Sequence, residues 1–324
     1  MLTRRPFSMA SAAGLVLLLL IVAVVARRVL PGPPESPIQS VQSSASESLV
    51  PTPTATASGM ASTGSGSPTH VWLIIFENRS YGDVIGNRNA PYINGLANHF
   101  ASAADAHAVG RPSEPNYLAL ISGSTQGVTD DKNHTLDAPT LLDQLDTVHR
   151  SWRIFAENVP PGCFTGATAS GGPDGAGTYA RKHEPAISFR SVSANPARCG
   201  RITSLSAFDP AAADFSLVIP NMCHSMHDCS TGEGDRWLAS FAPRILNSAA
   251  WRSGGILLIT FDEAHGGDAT QHVPLIIASL RTASGTRIAQ HVTHYGLLRT
   301  IESVWGLPCL AKSCAATPIP LPGG

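Results

Sequence analysis

The stretch Ile256-Leu257-Leu258-Ile259-Thr260-Phe261-Asp262-Glu263-Ala264-His265-Gly266-Gly267 decides the fold. Its first half is an apolar run that is short enough to be one buried strand. Two adjacent carboxylates follow where that strand ends, and two glycines then let the chain turn away. Open α/β sheets carry their functional sites at the carboxyl ends of their strands. The stretch therefore predicts hard oxygen ligands at the edge of a sheet.

A second stretch, near the start of the globular part, repeats this arrangement. The apolar run Val71–Phe76 ends directly at two polar residues. We predict that the two strand ends meet and hold one divalent cation of unspecified identity, with these ligands: Glu77, Asn78, Asp262 and Glu263. Carboxylate and amide oxygens suit hard divalent cations, whereas a set rich in histidine suits zinc or iron better. A helix cap explains a single acid equally well, but two pairs at the ends of buried strands favour a metal.

Segments with strand and helix patterns alternate along the rest of the chain. Predicted strands cover residues 70–76, 101–109, 152–156, 215–219, 256–261 and 273–278. Predicted helices cover residues 91–100, 118–123, 140–149, 235–247 and 295–305. This alternation predicts a single α/β domain with a central, mostly parallel sheet flanked by helices. Residues 158–178 are rich in Gly and Pro, and we expect this long loop to carry a binding surface or a lid.

The N-terminal part of the chain indicates export. Arg4 and Arg5 precede an apolar segment over residues 9–26, so we predict that residues 1–28 are a signal peptide or a retained membrane anchor. Residues 29–69, rich in Pro, Ser, Thr and Ala, are expected to be a disordered linker before a globular domain over residues 70–318. The protein is then secreted, or tethered through residues 9–26 at the outer face of the cytoplasmic membrane or in the cell envelope.

Charge and cysteine content further narrow the classes of protein to which the chain can belong. The formal net charge is −1, which gives no electrostatic footprint for nucleic acid. The chain has 6 cysteines, an even number that favours disulfides in an exported protein. Proximity in the sequence suggests the pairs Cys223–Cys229 and Cys309–Cys314, which leaves Cys163–Cys199. A zinc cluster is disfavoured because the chain contains no C-x-x-C pair.

Several polar residues in turns are candidates for catalysis. Ser113 lies in a Pro-flanked turn before a predicted helix, where it could attack an anionic phosphorus, although an ordinary N-cap fits the spacing better. His227 and Asp228 resemble a hydrogen-bonded pair that protonates a leaving group. His183 follows Lys182 in a cationic patch that suits phosphate, and a solvated turn is the alternative.

The ordered set of short motifs resembles the bacterial phosphoesterase family of acid phosphatases and phosphatidylcholine-type phospholipases C, within the alkaline-phosphatase-like superfamily. The similarity is greatest to its secreted mycobacterial-type acid phosphatases that act on phosphoinositides. The resemblance spans nearly the whole globular part and implies an alkaline-phosphatase-like sandwich for residues 70–318. The motifs are the following: Phe76-Glu77-Asn78-Arg79-Ser80, Ala90-Pro91-Tyr92-Ile93-Asn94, Pro112-Ser113-Glu114-Pro115-Asn116-Tyr117-Leu118-Ala119-Leu120, Tyr179-Ala180-Arg181-Lys182-His183, Pro220-Asn221, Met226-His227-Asp228, Gly234-Asp235-Arg236-Trp237-Leu238, Thr260-Phe261-Asp262-Glu263 and His294-Tyr295.

This resemblance implies roles for individual residues. Ser113 is expected to be the nucleophile beside the metal, and His183, His227 and Asp228 are expected to bind phosphate or assist proton transfer. Arg111, Asn116 and Lys182 are assigned to substrate binding. One departure matters, because the family usually has a histidine where this chain has Arg111. Arginine can hold a phosphate oxygen but cannot shuttle protons at working pH.

The resulting interpretation is an exported metal-dependent acid phosphatase that hydrolyses phosphomonoesters through a phosphoserine. Its substrate is a phosphomonoester, which can derive from a phospholipid. A phospholipase C that cleaves a phosphodiester is the alternative within enzymes, and the chain shows no long apolar extension for docking to lipid. A noncatalytic cell-surface binding protein is a third hypothesis, which predicts an incomplete set of metal ligands.

Overall fold

The centre of the molecule is a pair of fully buried strands, β1 (Val71–Phe76) and β8 (Ile256–Phe261). A computed structural model of the protein describes residues 67–321. The other strands are β2 (Ala101–His107), β3 (Trp152–Ala156), β4 (Thr168–Ser170), β5 (Thr178–Ala180), β6 (Ile202–Ser204), β7 (Phe215–Ile219), β9 (Leu275–Ser279) and β10 (Arg287–Thr293). The helices are α1 (Tyr81–Val84), α2 (Pro91–His99), α3 (Ser113–Ser122), α4 (Leu141–Thr147), α5 (Arg190–Ser193), α6 (Pro196–Cys199), α7 (Thr231–Leu246), α8 (Ala249–Arg252) and α9 (His294–Val304).

The main sheet has 8 strands in the order β10-β2-β9-β8-β1-β7-β3-β6. Strand β1 is parallel to both of its neighbours, and β9 is the strand that runs antiparallel to both β8 and β2. The prediction of a mostly parallel central sheet is therefore confirmed. Strands β4 and β5 form a separate antiparallel hairpin within and after the long loop.

Helices cover both faces of the sheet. Alternate residues of β1 point to opposite sides, so Leu73 belongs to one buried apolar cluster and Ile74 to the other. The first cluster contains the inward side chains of α3, α4 and α9, and the second contains those of α2, α7 and α8. Because both faces are buried, the central strands are continuous apolar runs.

The register of the two central strands brings the predicted polar ends together. Phe76 of β1 is the partner of Phe261 of β8 in a parallel pair. The next residues, Glu77 and Asp262, therefore leave the sheet side by side at its carboxyl edge. The amide of Asp262 also donates a hydrogen bond of 2.9 Å to the carbonyl of Phe76, which continues the ladder past the strand ends.

Some predicted boundaries are wrong, and several strands were not predicted. Helix α3 begins at Ser113 and not at residue 118, and α7 begins at Thr231 because Ser230 caps it by accepting from the amide of Glu233. Strands β4, β5 and β6 are only three residues each. Strand β10 lies at the sheet edge, where a mostly polar face hides the apolar periodicity.

The disulfide pairing suggested by proximity is confirmed. Bonds join Cys163 to Cys199, Cys223 to Cys229 and Cys309 to Cys314, with Cα–Cα distances of 5.3, 4.7 and 4.9 Å. The second bond closes a short loop at the carboxyl edge of the sheet, beyond β7.

The predictions for residues 1–28 and 29–69 fall almost entirely outside the described residues, as does the tether through residues 9–26. Among residues 67–321, the structure has no helix with the length and apolar character needed to cross a membrane.

Candidate active site

Two neighbouring carboxylates form the centre of the candidate site. The Glu77 and Asp262 side chains are both fully buried. Oδ1 of Asp262 accepts a hydrogen bond of 3.0 Å from the amide of Asn78, whereas Oδ2 has no partner among the described residues. Burial raises the pKa of both carboxyls, and the nearby Asp262 carboxyl raises that of Glu77 further. A positive charge bound beside the two carboxyls would therefore favour their ionised forms.

Ser113 lies directly against this pair. It is the first residue of α3, it is 1% exposed, and its Oγ donates a hydrogen bond of 3.2 Å to Oε2 of Glu77. Tyr117, one turn further along the helix, donates its hydroxyl to Oε1 of the same carboxylate. One helix thus orients both oxygens of Glu77. The prediction that Ser113 lies beside a strand-end carboxylate agrees with this geometry, and its role as nucleophile stays a prediction.

Asn116 holds the loop that precedes Ser113. Its Oδ1 accepts hydrogen bonds from the amides of Val109 and Gly110, at 3.0 and 3.1 Å. Its Nδ2 donates to the carbonyls of Gly110 and Pro112, at 2.9 and 3.0 Å. The side chain is fully buried and its polar atoms are all used by the backbone. These contacts make Asn116 a residue that positions the loop before Ser113, and substrate binding by it stays a prediction.

His183 packs against the same carboxylate oxygen of Glu77 that Ser113 contacts. It ends the 3₁₀ helix Arg181–His183, and its ring stacks on Tyr117 with a centroid distance of 5.3 Å. Its Nε2 lies 3.2 Å from Oε2 of Glu77, yet the alignment is too poor for a hydrogen bond, and this nitrogen has no other partner among the described residues. Burial, Lys182 and His227 hold the pKa of His183 well below its usual range, so the ring is neutral.

His227 and Asp228 lie in the loop closed by the Cys223–Cys229 disulfide. Nδ1 of His227 is 2.7 Å from Oδ1 of Asp228, and its Nε2 is 3.3 Å from Nζ of Lys182. Lys182 also donates to Asp131 at 3.0 Å. The same loop is joined to the site because the carbonyl of Ser225 accepts a hydrogen bond from the amide of Glu77. The predicted pair of His227 and Asp228 is therefore formed, and Nε2 of the histidine ring faces Lys182.

Arg111 and Glu263 lie at the rim of the site. Nη1 of Arg111 is 3.4 Å from a carboxylate oxygen of Glu263, and its Nη2 donates to the carbonyls of Ala264 and His265 at 2.6 Å. Burial raises the pKa of Glu263 to about 7. Arg111 thus secures the loop after β8, and substrate binding by it stays a prediction.

The ligand atoms brought together differ in part from the predicted oxygen set. One ligand atom each of Glu77, His183 and His227 lies within 4.8 Å of the others, and the unpartnered Oδ2 of Asp262 belongs to the same pair of strand ends. Such a mixture of carboxylate and imidazole ligands fits a divalent ion, including zinc or iron. Asn78 reaches the site through its backbone amide, so a side-chain ligand from Asn78 or Glu263 stays a prediction.

Sequence reasoning gave no role to three residues that shape this site. Tyr117 bonds Glu77, and Asp131 links Lys182 to the amide of Glu114 at the start of α3. Nε2 of His294 donates to the carbonyl of Asp262 at 2.6 Å, and burial lowers its pKa to about 4, so it acts as a neutral donor. Tyr117 and His294 lie within the motifs quoted above, but their spacing does not reveal contacts made across the sheet edge.

The fold and this site define a class of protein. A mostly parallel sheet carries buried carboxylates at the carboxyl ends of its central strands, and a serine at the start of a helix lies beside them. This arrangement belongs to the alkaline-phosphatase type of hydrolase, which acts on ester bonds of oxyacids.

Comparison with known proteins gives the family. The sequence profile of the Phosphoesterase family matches residues 86–308, and the chain belongs to this family. The phosphatidylinositol-3-phosphatase of Mycobacterium tuberculosis is 34% identical over 268 residues, which cover 81% of this chain and 85% of that protein. An acid phosphatase of Aspergillus fumigatus is 29% identical over 257 residues, covering 76% of this chain and only 56% of the fungal protein. The protein is therefore a phosphoesterase.

A solved structure agrees with the fold. An alkaline phosphatase superfamily protein from Vibrio parahaemolyticus matches with a TM-score of 0.50 and 12% identity, covering 76% of this chain and 68% of that chain. At this identity the likeness shows the fold alone, which confirms the predicted alkaline-phosphatase-like architecture.

The buried carboxyl of Glu114 should make the stability of the fold depend on pH. It is buried, its Oε1 accepts a hydrogen bond from Ser188 at 2.9 Å, and its Oε2 has no partner among residues 67–321. Burial raises its pKa from 4.5 to about 7. A carboxyl with a raised pKa in the folded state stabilises the fold below pH 4.5, and this contribution is lost as the pH rises through about 7. We expect the free energy of unfolding to fall over this window and the fall to be smaller in Glu114→Gln, as measured by urea denaturation.

Asp137→Asn is the matched control, because this carboxylate is 70% exposed and should leave the pH profile unchanged. Glu184 and Glu263 have pKa values of about 7 for the same reason, so part of the pH dependence should remain in Glu114→Gln. A profile as steep in Glu114→Gln as in the wild type would show that Glu114 is ionised at little cost.

Proposed function

We propose that this protein is an exported, metal-dependent acid phosphatase that hydrolyses phosphomonoesters through a phosphoserine intermediate. The observation that supports the proposal most directly is the contact between Ser113 and Glu77. The serine hydroxyl lies at the N-terminus of α3, where free amides and the helix dipole favour an anion. Its proton already has an acceptor 3.2 Å away. A hydroxyl in this position is suited to attack phosphorus.

Ser113 attacks the phosphorus atom, and its proton moves to Oε2 of Glu77 as the Oγ–P bond forms. The bond between phosphorus and the leaving oxygen breaks at the same step. A divalent cation bound beside Glu77 and Asp262 would neutralise charge on the phosphoryl oxygens and favour the serine alkoxide. The ammonium of Lys182 lies at the open side of the site, where it can hold a phosphate oxygen.

His227, with protons on both ring nitrogens, supplies the proton for the leaving alcohol from Nε2, and in this role it is not a ligand of the cation. Asp228 fixes its ring through Nδ1, so Nε2 is the atom that exchanges a proton in the site. With the alcohol released, His227 accepts a proton from the water that attacks the phosphoserine. Glu77 returns its proton to Oγ when the P–O bond to Ser113 breaks, which restores the starting state.

The named relatives support a monoester substrate. The mycobacterial relative is called a phosphatidylinositol-3-phosphatase, and the fungal relative an acid phosphatase. Both names denote removal of a terminal phosphate, so we propose a phosphomonoester, with phosphoinositide lipids as one substrate class. The phospholipase C alternative has no specific observation in its favour.

Export is proposed on two grounds. The N-terminal sequence has the pattern of a signal peptide or anchor, and the described domain carries three disulfides. Disulfides persist in oxidising compartments and are rare in the cytosol. We therefore place the enzyme outside the cytoplasmic membrane, secreted or held in the cell envelope.

Replacing the nucleophile tests the mechanism. We expect Ser113→Ala to lower kcat on p-nitrophenyl phosphate by about 10³-fold or more, because the oxygen that attacks phosphorus is removed. Its unfolding free energy should change by no more than about 1.5 kcal/mol, since one hydrogen bond is lost. The control is Ser122→Ala, which removes another buried hydroxyl of α3. Near wild-type turnover by Ser113→Ala would refute the nucleophile assignment.

The products from a lipid substrate separate the two enzymatic hypotheses. With phosphatidylinositol 3-phosphate in mixed micelles, we expect inorganic phosphate and phosphatidylinositol, because the terminal phosphorus is attacked. A phospholipase C would release diacylglycerol and a phosphorylated inositol. Chromatography of the organic and aqueous extracts measures how much of each product forms. Diacylglycerol as the main product would overturn the monoesterase proposal.

A further inference from the structure

A second group of ligating side chains lies on strands β2 and β10. Asp105 and His107 are two residues apart on β2, so they share one face of the sheet. His291 of β10 is the register partner of Asp105 in the parallel pair. One ligand atom from each of the three side chains lies within 4.8 Å of the others. This group shares no residue with the candidate active site.

The hydrogen bonds of His107 determine which nitrogen is free to bind. Its Nδ1 is 2.7 Å from the carbonyl of Thr270, and a carbonyl can only accept, so Nδ1 carries the proton. The other nitrogen, Nε2, faces Oδ1 of Asp105 at 2.6 Å. In a neutral ring Nε2 has a lone pair, which the carboxylate would repel. At this distance a second proton on Nε2 joins the two groups, and a metal ion takes the place of that proton when the two side chains move slightly apart.

A backbone carbonyl that fixes the remaining N–H is the usual support of a metal-binding histidine. His272 also supports the ring of His107, because the two rings stack with a centroid distance of 5.2 Å. Nε2 of His272 is in turn hydrogen-bonded to the carbonyl of Ala104. The ring of His107 is thus held in place before any ion arrives.

His291 supplies the open side of the group. Its Nδ1 is 3.0 Å from Oδ2 of Asp105, and its side chain is 62% exposed. Two imidazole nitrogens and one carboxylate then face a point that solvent can reach. Tetrahedral zinc takes this ligand set with water in the fourth position, whereas magnesium and calcium prefer oxygen ligands alone.

We propose that Asp105, His107 and His291 form an accessory site for zinc or a similar transition-metal ion, separate from the ion beside Ser113. The bound ion joins the edge strand β10 to β2. Through Nδ1 of His107 it also fixes Thr270, in the loop that leads away from Asp262 and Glu263. Its expected effect is on the stability of this edge and loop, with no part in the chemical step.

The test is a zinc titration of the folded protein by calorimetry, in the Asp262→Asn background so that the ion beside Ser113 binds weakly. We expect one zinc ion per chain, and at least a ~10-fold loss of affinity in His107→Gln, as found when groups supporting a metal site are removed. Asp105→Asn keeps the shape of the side chain and should lose affinity likewise. His99→Gln, at an exposed histidine of α2, should bind zinc as the parent does.

Thermal unfolding of the same variants gives the second readout. Zinc should raise the Tm of the parent and of His99→Gln but not that of His107→Gln or Asp105→Asn. Equal zinc affinity in all four proteins, or no zinc binding by the parent, would overturn the proposal and leave His107 as a protonated partner of Asp105. Neither result depends on turnover, so the outcome is independent of the proposed phosphatase activity.

Discussion

The structure depends on the burial of two carboxylates side by side at the carboxyl edge of the sheet. Glu77 and Asp262 are both inaccessible to solvent, and their pKa values are raised by that burial. Two ionised carboxylates at this position repel each other, and each also loses its hydration on burial, so ionising both is unfavourable without a cation. The fold keeps this unfavourable pair of carboxylates where two well-packed apolar side chains would be more stable. Such a pair is expected where carboxylates hold a cation for chemistry.

The surrounding contacts keep this pair in one geometry. Tyr117 and Ser113 bond the two oxygens of Glu77, and the amide of Asn78 bonds one oxygen of Asp262. A carbonyl in the disulfide-closed loop beyond β7 accepts a hydrogen bond from the amide of Glu77. Because His227 lies in the same loop, this bond fixes its position relative to the Glu77 carboxylate. The raised pKa values of buried carboxyls such as Glu114 also make the fold more stable in acid, which is consistent with an acid phosphatase.

The sequence predicted the parts of the fold that rest on local patterns. The apolar runs of β1 and β8 and the acids that follow them are visible in one dimension, and adjacent parallel strands then bring the acids together. Close spacing likewise predicted two of the disulfides, and Cys163–Cys199 was the pair that remained. Strand β10 was missed because its outward side chains are polar, and the contacts of Asn116 with four backbone groups of its own loop were not visible in the sequence. Contacts made by Tyr117 and His294 across elements leave no periodic signal in a single sequence.

Anomalous diffraction tests the central claim most directly. Crystals grown with a divalent transition metal and measured above and below its absorption edge should show one strong peak about 2.0–2.3 Å from carboxylate oxygens of Glu77 and Asp262, next to Oγ of Ser113. That result would establish the buried pair as a metal site. Two carboxyls hydrogen-bonded to each other at saturating metal, with no anomalous density between them, would contradict it.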